Sequence, residues 1–151
     1  MARYITPTLT ITSNAYSATN NPGPTSSPLA ISVTDLLDVT EVQSKIVTVS
    51  TTDAILFTAS DYAPTATAGT DGGFVFLKNH HDTVKIHIGH NVTGDGELED
   101  GGGADEDRLM TLFPGEFAFF PWDVESNLTV DADGAGDDAL EAILFLRTGT
   151  A

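Results

Sequence analysis

Four histidines are the first residues to weigh for chemistry: His80, His81, His87 and His90. A metal centre needs three or four ligands brought together by their spacing. His80 and His81 are adjacent, so on a strand they point to opposite faces. His87 shares a face with Lys85, away from Val84 and Ile86. The chain after Pro114-Gly115 contains no histidine. These are therefore read as turn and surface histidines, and no metal or other cofactor is expected.

Carboxylates are the second candidate. Asp95-Gly96-Glu97-Leu98-Glu99-Asp100 and Asp105-Glu106-Asp107 form an acidic, Gly-rich stretch. Asp131, Asp133 and Asp137 form a second acidic turn, and these three would be the ligands of a hard cation such as Ca²⁺. That turn departs from the EF-hand loop: its fifth position is Ala135 and its twelfth is Ala142, so the bidentate Glu is missing. Solvated loops are the expectation for both. Glycoside hydrolysis needs two carboxylates on rigid supports about 5–9 Å apart, and Gly101-Gly102-Gly103 gives the first stretch the opposite of a rigid support. No Ser, His and Asp have a triad's spacing. No acid, base and oxyanion donor assemble, so no enzyme is expected.

The elements that position these residues read as strands. Lys45–Ser50 is β-branched, Ala54–Thr58 follows a turn, and Gly73–Lys78 reads as a buried strand. Thr83–Gly89 alternates, with Asn79–Asp82 before it as a tight hairpin connection. Leu109–Phe113, Glu116–Phe120, Leu128–Asp131 and Leu140–Arg147 follow. Asp35–Val42 fits either a helical turn or a strand. About eight to ten short strands at this spacing predict an all-β, single-domain antiparallel β-sandwich, jelly-roll-like. Residues 1–28 contain a weakly alternating run and the polar Asn20–Pro28 connector. They are expected to form an extended N-terminal arm, with residues 29–151 as the sandwich.

Composition narrows the function. The 151 residues carry 22 acidic against 6 basic side chains, a net charge of −16. Such a field repels nucleic acid. Hydrophobic residues are 40% of the chain, enough for one core. Cysteine is absent, so no disulfide or thiolate site exists. No apolar run is long enough to cross a membrane as a helix. The first residues do not have the layout of a signal peptide. Asn91-Val92-Thr93 and Asn127-Leu128-Thr129 match the glycosylation sequon and are read as chance matches.

The aromatic strand is the most telling element. Phe117 and Phe119 share one face, and Phe120 and Trp122 share the other. One pair belongs to the core. A strand apolar on both faces needs cover on both, so Phe117, Phe119, Phe120 and Trp122 are the expected core and subunit-interface residues of a homotrimer. Ile5, Leu9 and Ile11 give the arm an apolar side for a neighbouring subunit or a surface beneath.

Leu112-Phe113-Pro114-Gly115-Glu116-Phe117-Ala118-Phe119-Phe120-Pro121-Trp122 resembles a strand–turn–strand of small structural proteins of tailed bacteriophages, especially those infecting marine cyanobacteria. Leu140–Phe145 resembles their closing strand, and Leu9–Ala15 fits the same group loosely. The resemblance implies a virion component without an active site. Its favoured form is a capsid decoration (cement) protein: a small trimeric β-sandwich on the capsid exterior, with the major capsid protein as partner. Two alternatives stand beside it. One is a tail or fibre module that binds a host glycan. The other is a cupin-like metal-binding protein, whose family ligates metal through a His-x-His pair, a nearby Glu and a later His.

Overall fold

The structure is a computed structural model and describes residues 3–12, 30–34, 37–62, 72–91, 108–124, 126–134 and 136–147. Strands make nearly all of it. The chain divides into two compact units, Met1–Val39 and Thr40–Ala151.

The first unit is a two-stranded antiparallel ribbon. β1 (Arg3–Ile5) pairs with β4 (Leu37–Val39), and β2 (Thr8–Thr12) pairs with β3 (Ala30–Thr34). Arg3 lies opposite Val39 and Thr12 opposite Ala30, in one unbroken register. The ladder stops at Thr6-Pro7, where proline has no N–H to donate. Residues 30–39, expected to open the sandwich, instead pair back onto the arm. The unit boundary thus falls after Val39 and not after Pro28.

The second unit is the β-sandwich. Its strands are β5 (Glu41–Val49), β6 (Ala54–Phe57), β7 (Gly72–Asn79), β8 (Ile86–Asn91), β9 (Arg108–Leu112), β10 (Phe117–Trp122), β11 (Asn127–Ala132) and β12 (Gly136–Arg147). One short helix, α1 (Ala59–Tyr62), follows β6. The strands form two four-stranded sheets, ordered β10-β7-β12-β5 and β6-β11-β8-β9, with every pairing antiparallel. The pairs β5·β12, β6·β11, β7·β10 and β8·β9 describe one long hairpin. The pairs β7·β12 and β8·β11 record its winding into two layers, which is the jelly-roll connection.

The core lies between the layers. Val75, Leu77, Leu140, Ala142 and Leu144 come from one sheet, and Phe57, Ile86, Ile88, Leu128 and Val130 from the other. Strict alternation places them there: Ile86 and Ile88 are fully buried, with His87 pointing the other way. Phe57, Tyr62 and Trp122 close one part of the core with ring centroids 6.0–6.1 Å apart.

Asn79–Asp82 is not a hairpin connection. β7 belongs to one sheet and β8 to the other, so the segment arches between layers. Asn79, fully buried, holds the arch. Its Nδ2 donates to the carbonyls of Val84 (2.8 Å) and Leu112 (3.0 Å), and its Oδ1 accepts from the His81 amide (2.9 Å). These bonds explain why the strand begins at Ile86 and not at Thr83.

Two glycines are required by geometry. Gly115 has φ of 78° in the Pro114-Gly115 turn, which the Glu116 amide closes on the Phe113 carbonyl at 3.0 Å. Gly73 lies under β12, where a Cβ would sit 2.5 Å from the Phe145 carbonyl oxygen. Gly73→Ala must therefore push β7 and β12 apart. We expect a loss of about 2 kcal/mol in stability, the range of backbone-strained core substitutions, measured by urea unfolding. Gly115→Ala should cost about 1 kcal/mol, from its positive φ alone.

Candidate functional site

Two surfaces of the sandwich stand out, one on the outward side of each sheet. The first is apolar and built by register. Across β10-β7-β12-β5, Phe119 lies opposite Phe76 and Phe76 opposite Ile143. In the next row Pro121, Phe74, Phe145 and Val42 are aligned. Phe117 and Ile46 end a third row, with Lys78 and Glu141 between them.

The rings contact one another across strands. Phe74 and Phe119 stack with centroids 5.5 Å apart and planes 6° apart. Phe76 and Phe117 stack at 6.2 Å, and Phe145 meets Phe119 edge-on at 6.2 Å. The Arg147 guanidinium covers Phe74 at 4.7 Å. Phe117 is 60% exposed, Phe119 39% and Ile46 66%.

Of the aromatic residues singled out from sequence, Phe117 and Phe119 lie on this face. Phe120 and Trp122 do not: they point into the core, where Trp122 is buried and its indole N–H donates to the Ser126 carbonyl at 3.1 Å. Phe74, Phe76, Ile143 and Phe145 were missed. The sequence predicts a buried β7; Val75, Leu77 and Asn79 are fully buried, but Phe74 and Phe76 look outward, half-buried. The signal was present: Phe74-Val75-Phe76-Leu77 is apolar at every position, which gives a strand two apolar faces. In the ribbon, Leu9 is 49% exposed and Ile5 half-buried, and Ile11 stands opposite Ile31 in β2.

The second surface is polar, on the outward side of β6-β11-β8-β9. Asp131 lies opposite His87, and His87 opposite Thr111. His87 is 6% exposed, so it is not a surface histidine. Its Nδ1 meets Thr111 Oγ1 at 2.9 Å, and its Nε2 meets Asp133 Oδ1 at 2.6 Å. Lys85 Nζ reaches Asp133 Oδ2 at 3.3 Å. The hydrogen bond from His87, helped by Lys85, holds the Asp133 carboxyl below the usual carboxylate range. Burial pushes Asp131 the other way, up to about 6.

The four histidines do not converge. His80 Nε2 pairs with Glu141 at 2.8 Å on the exposed apolar sheet, and His81 Nδ1 accepts the Thr83 and Val84 amides in the arch. His90 sits on the inward side of β8, the side opposite His87. Among the described residues no group of three or more His, Asp or Glu is placed to hold a metal ion. Asp131 and Asp133, expected with Asp137 as cation ligands, have different surroundings: Asp131 is buried, and Asp133, just past β11, is exposed and bonded to His87 and Lys85. The Asp137 side chain and the acidic stretch 95–107 lie outside the described residues. No helix among the described residues is long and apolar enough to cross a membrane.

Comparison with protein-family models, curated proteins and solved structures gives no match to this chain.

Proposed function

We propose that this chain is a virion structural protein of a tailed phage, a capsid decoration protein that assembles as a homotrimer on the capsid exterior. The observation that carries the reading is the exposed aromatic face around Phe74, Phe76, Phe117, Phe119 and Phe145. Phenylalanine offers large apolar area with no polar tip, which suits permanent cover by a neighbouring subunit. The described charges on that face, Lys78 and Arg147 against Glu141, do not follow the chain's net −16. Copies of so acidic a protein repel over most of their surface, and this face is where they approach with least repulsion. The jelly-roll layering supports the reading, since it sets Phe117, Phe119 and Ile46 exposed on the outward side of one sheet.

The ribbon Arg3–Val39 is the element proposed to reach the major capsid protein. An isolated two-stranded ribbon is marginally stable in water and gains by docking, and its edges offer unpaired backbone groups for strand addition. Attachment then rests on apolar and backbone contacts. Occupancy on purified particles should hold or rise as NaCl increases from low to marine ionic strength, because screening removes repulsion between acidic partners. Negative-stain imaging of a tagged copy reads both position and occupancy. A steep loss with salt, or label on the tail, would overturn the proposal; label on the tail together with lipopolysaccharide binding would favour the glycan-binding module.

A further inference from the structure

A ring of three copies cannot be closed by one patch meeting itself. A two-fold contact uses the same patch on both copies and stops at two. A three-fold ring needs two different patches that meet head to tail. The aromatic sheet has two edges, β10 on one side and β5 on the other, and the two differ in shape.

Beside the β10 edge stands a knob. The turn 113–116 leads from β9 into β10 and presents Phe113, which is 50% exposed and outside the core cluster. The backbone under this ring is held from several directions. The Phe113 amide donates to Glu116 Oε2 at 2.9 Å. The Gly115 amide donates to the Asn79 carbonyl at 3.0 Å, and the Asn79 amide donates to the Glu116 carbonyl at 2.9 Å. An aromatic ring on a backbone fixed in this way loses little freedom when a partner covers it.

The β5 edge carries a notch. Val42, Ser44 and Ile46 share the outward side of this strand. Val42 and Ile46 are exposed, and the small Ser44 between them lies opposite Ile143 of β12. β5 is nine residues long and has no proline, and among the described residues it pairs with β12 alone. Its other edge therefore keeps backbone groups for a neighbour, whereas β10 contains Pro121. Lys45, the cation of β5, does not guard the notch. It turns to the opposite side, where its Nζ donates to the Leu56 carbonyl and lies 4.3 Å from the centroid of the Phe57 ring.

We propose that Phe113 of one copy seats in the notch formed by Val42, Ser44 and Ile46 of the next copy, so that assembly runs head to tail from the β10 edge to the β5 edge. The inference rests on the homotrimer reading above and adds which surfaces meet. Each copy gives one knob and receives one. Phe117, on β10 and close to the turn, is covered at the same contact.

The test uses the full chain and two readouts. In light scattering, Phe113→Asp and Ile46→Asp should each weaken self-association at least about 30-fold, the loss of one interface anchor. Both side chains are exposed, so melting of the monomer should stay unchanged. The chain has no cysteine, so introduced thiols report contacts cleanly. Phe113→Cys combined with Ser44→Cys, treated with a short bismaleimide, should give covalent trimers on a denaturing gel, and either substitution alone should give none. Dimers from a single-cysteine variant would show like patches meeting and would overturn the proposal. A natural trimer that persists undiminished in Phe113→Asp, or one whose double-cysteine variant does not cross-link, would overturn the head-to-tail contact and leave the trimer standing. A natural protein that is monomeric would overturn the homotrimer reading itself, and this contact with it.

Discussion

Asn79→Leu is expected to lower stability by about 4 kcal/mol, close to the limit for a single substitution. The side chain is fully buried and serves three backbone groups: the Val84 and Leu112 carbonyls and the His81 amide. Leucine keeps the branched heavy-atom shape of asparagine, with a larger volume, and leaves all three groups without a partner. Each unpaired buried group costs roughly 1–3 kcal/mol. The backbone of Asn79 also donates to Glu116 and accepts from Gly115, so the arch and the Pro114-Gly115 turn share this anchor. Both should loosen together. Urea unfolding gives the free energy, and amide exchange at His81 and Gly115 should quicken together. A loss below about 1 kcal/mol would mean that water replaces the amide and that the arch is not held from this point.

The second large effect concerns assembly. Phe117→Asp combined with Phe119→Asp should weaken self-association by at least about 1,000-fold, while the monomer stays folded. Aromatic anchors at the centre of an interface each contribute about 2 kcal/mol or more, and two such losses correspond to three powers of ten in dissociation constant. The monomer is spared because both side chains are already exposed and neither belongs to the core cluster. Light scattering at micromolar concentration should show trimers for the natural protein and monomers for the variant, with the melting of the isolated monomer little changed. Trp122→Asp is the contrast: that ring packs against Phe57 and Tyr62, and its replacement should unfold the sandwich outright. A natural protein that is monomeric with or without salt would remove the aromatic face from assembly.

The sequence by itself determined what depends on neighbours along the chain. Period-2 alternation reported which side chains of Ile86–Ile88 go inward, because a strand has only two faces. Pro114-Gly115 announced its turn, because proline sets one dihedral and only glycine enters the other cheaply. The all-β class followed from these signals. Phe117 and Phe119 were separated from Phe120 and Trp122 on the same ground.

Only the tertiary structure decided which strand lies beside which. Alternation carries no information on a strand's partners, so Asn79–Asp82 read as a hairpin connection although its flanking strands belong to different sheets. Leu29, Ile31 and Val33 alternate as a core strand would, yet β3 pairs with the arm. From its outward face His87 reads as a surface residue, but Asp133, Thr111 and Asp131 surround it through pairings that join residues far apart in sequence.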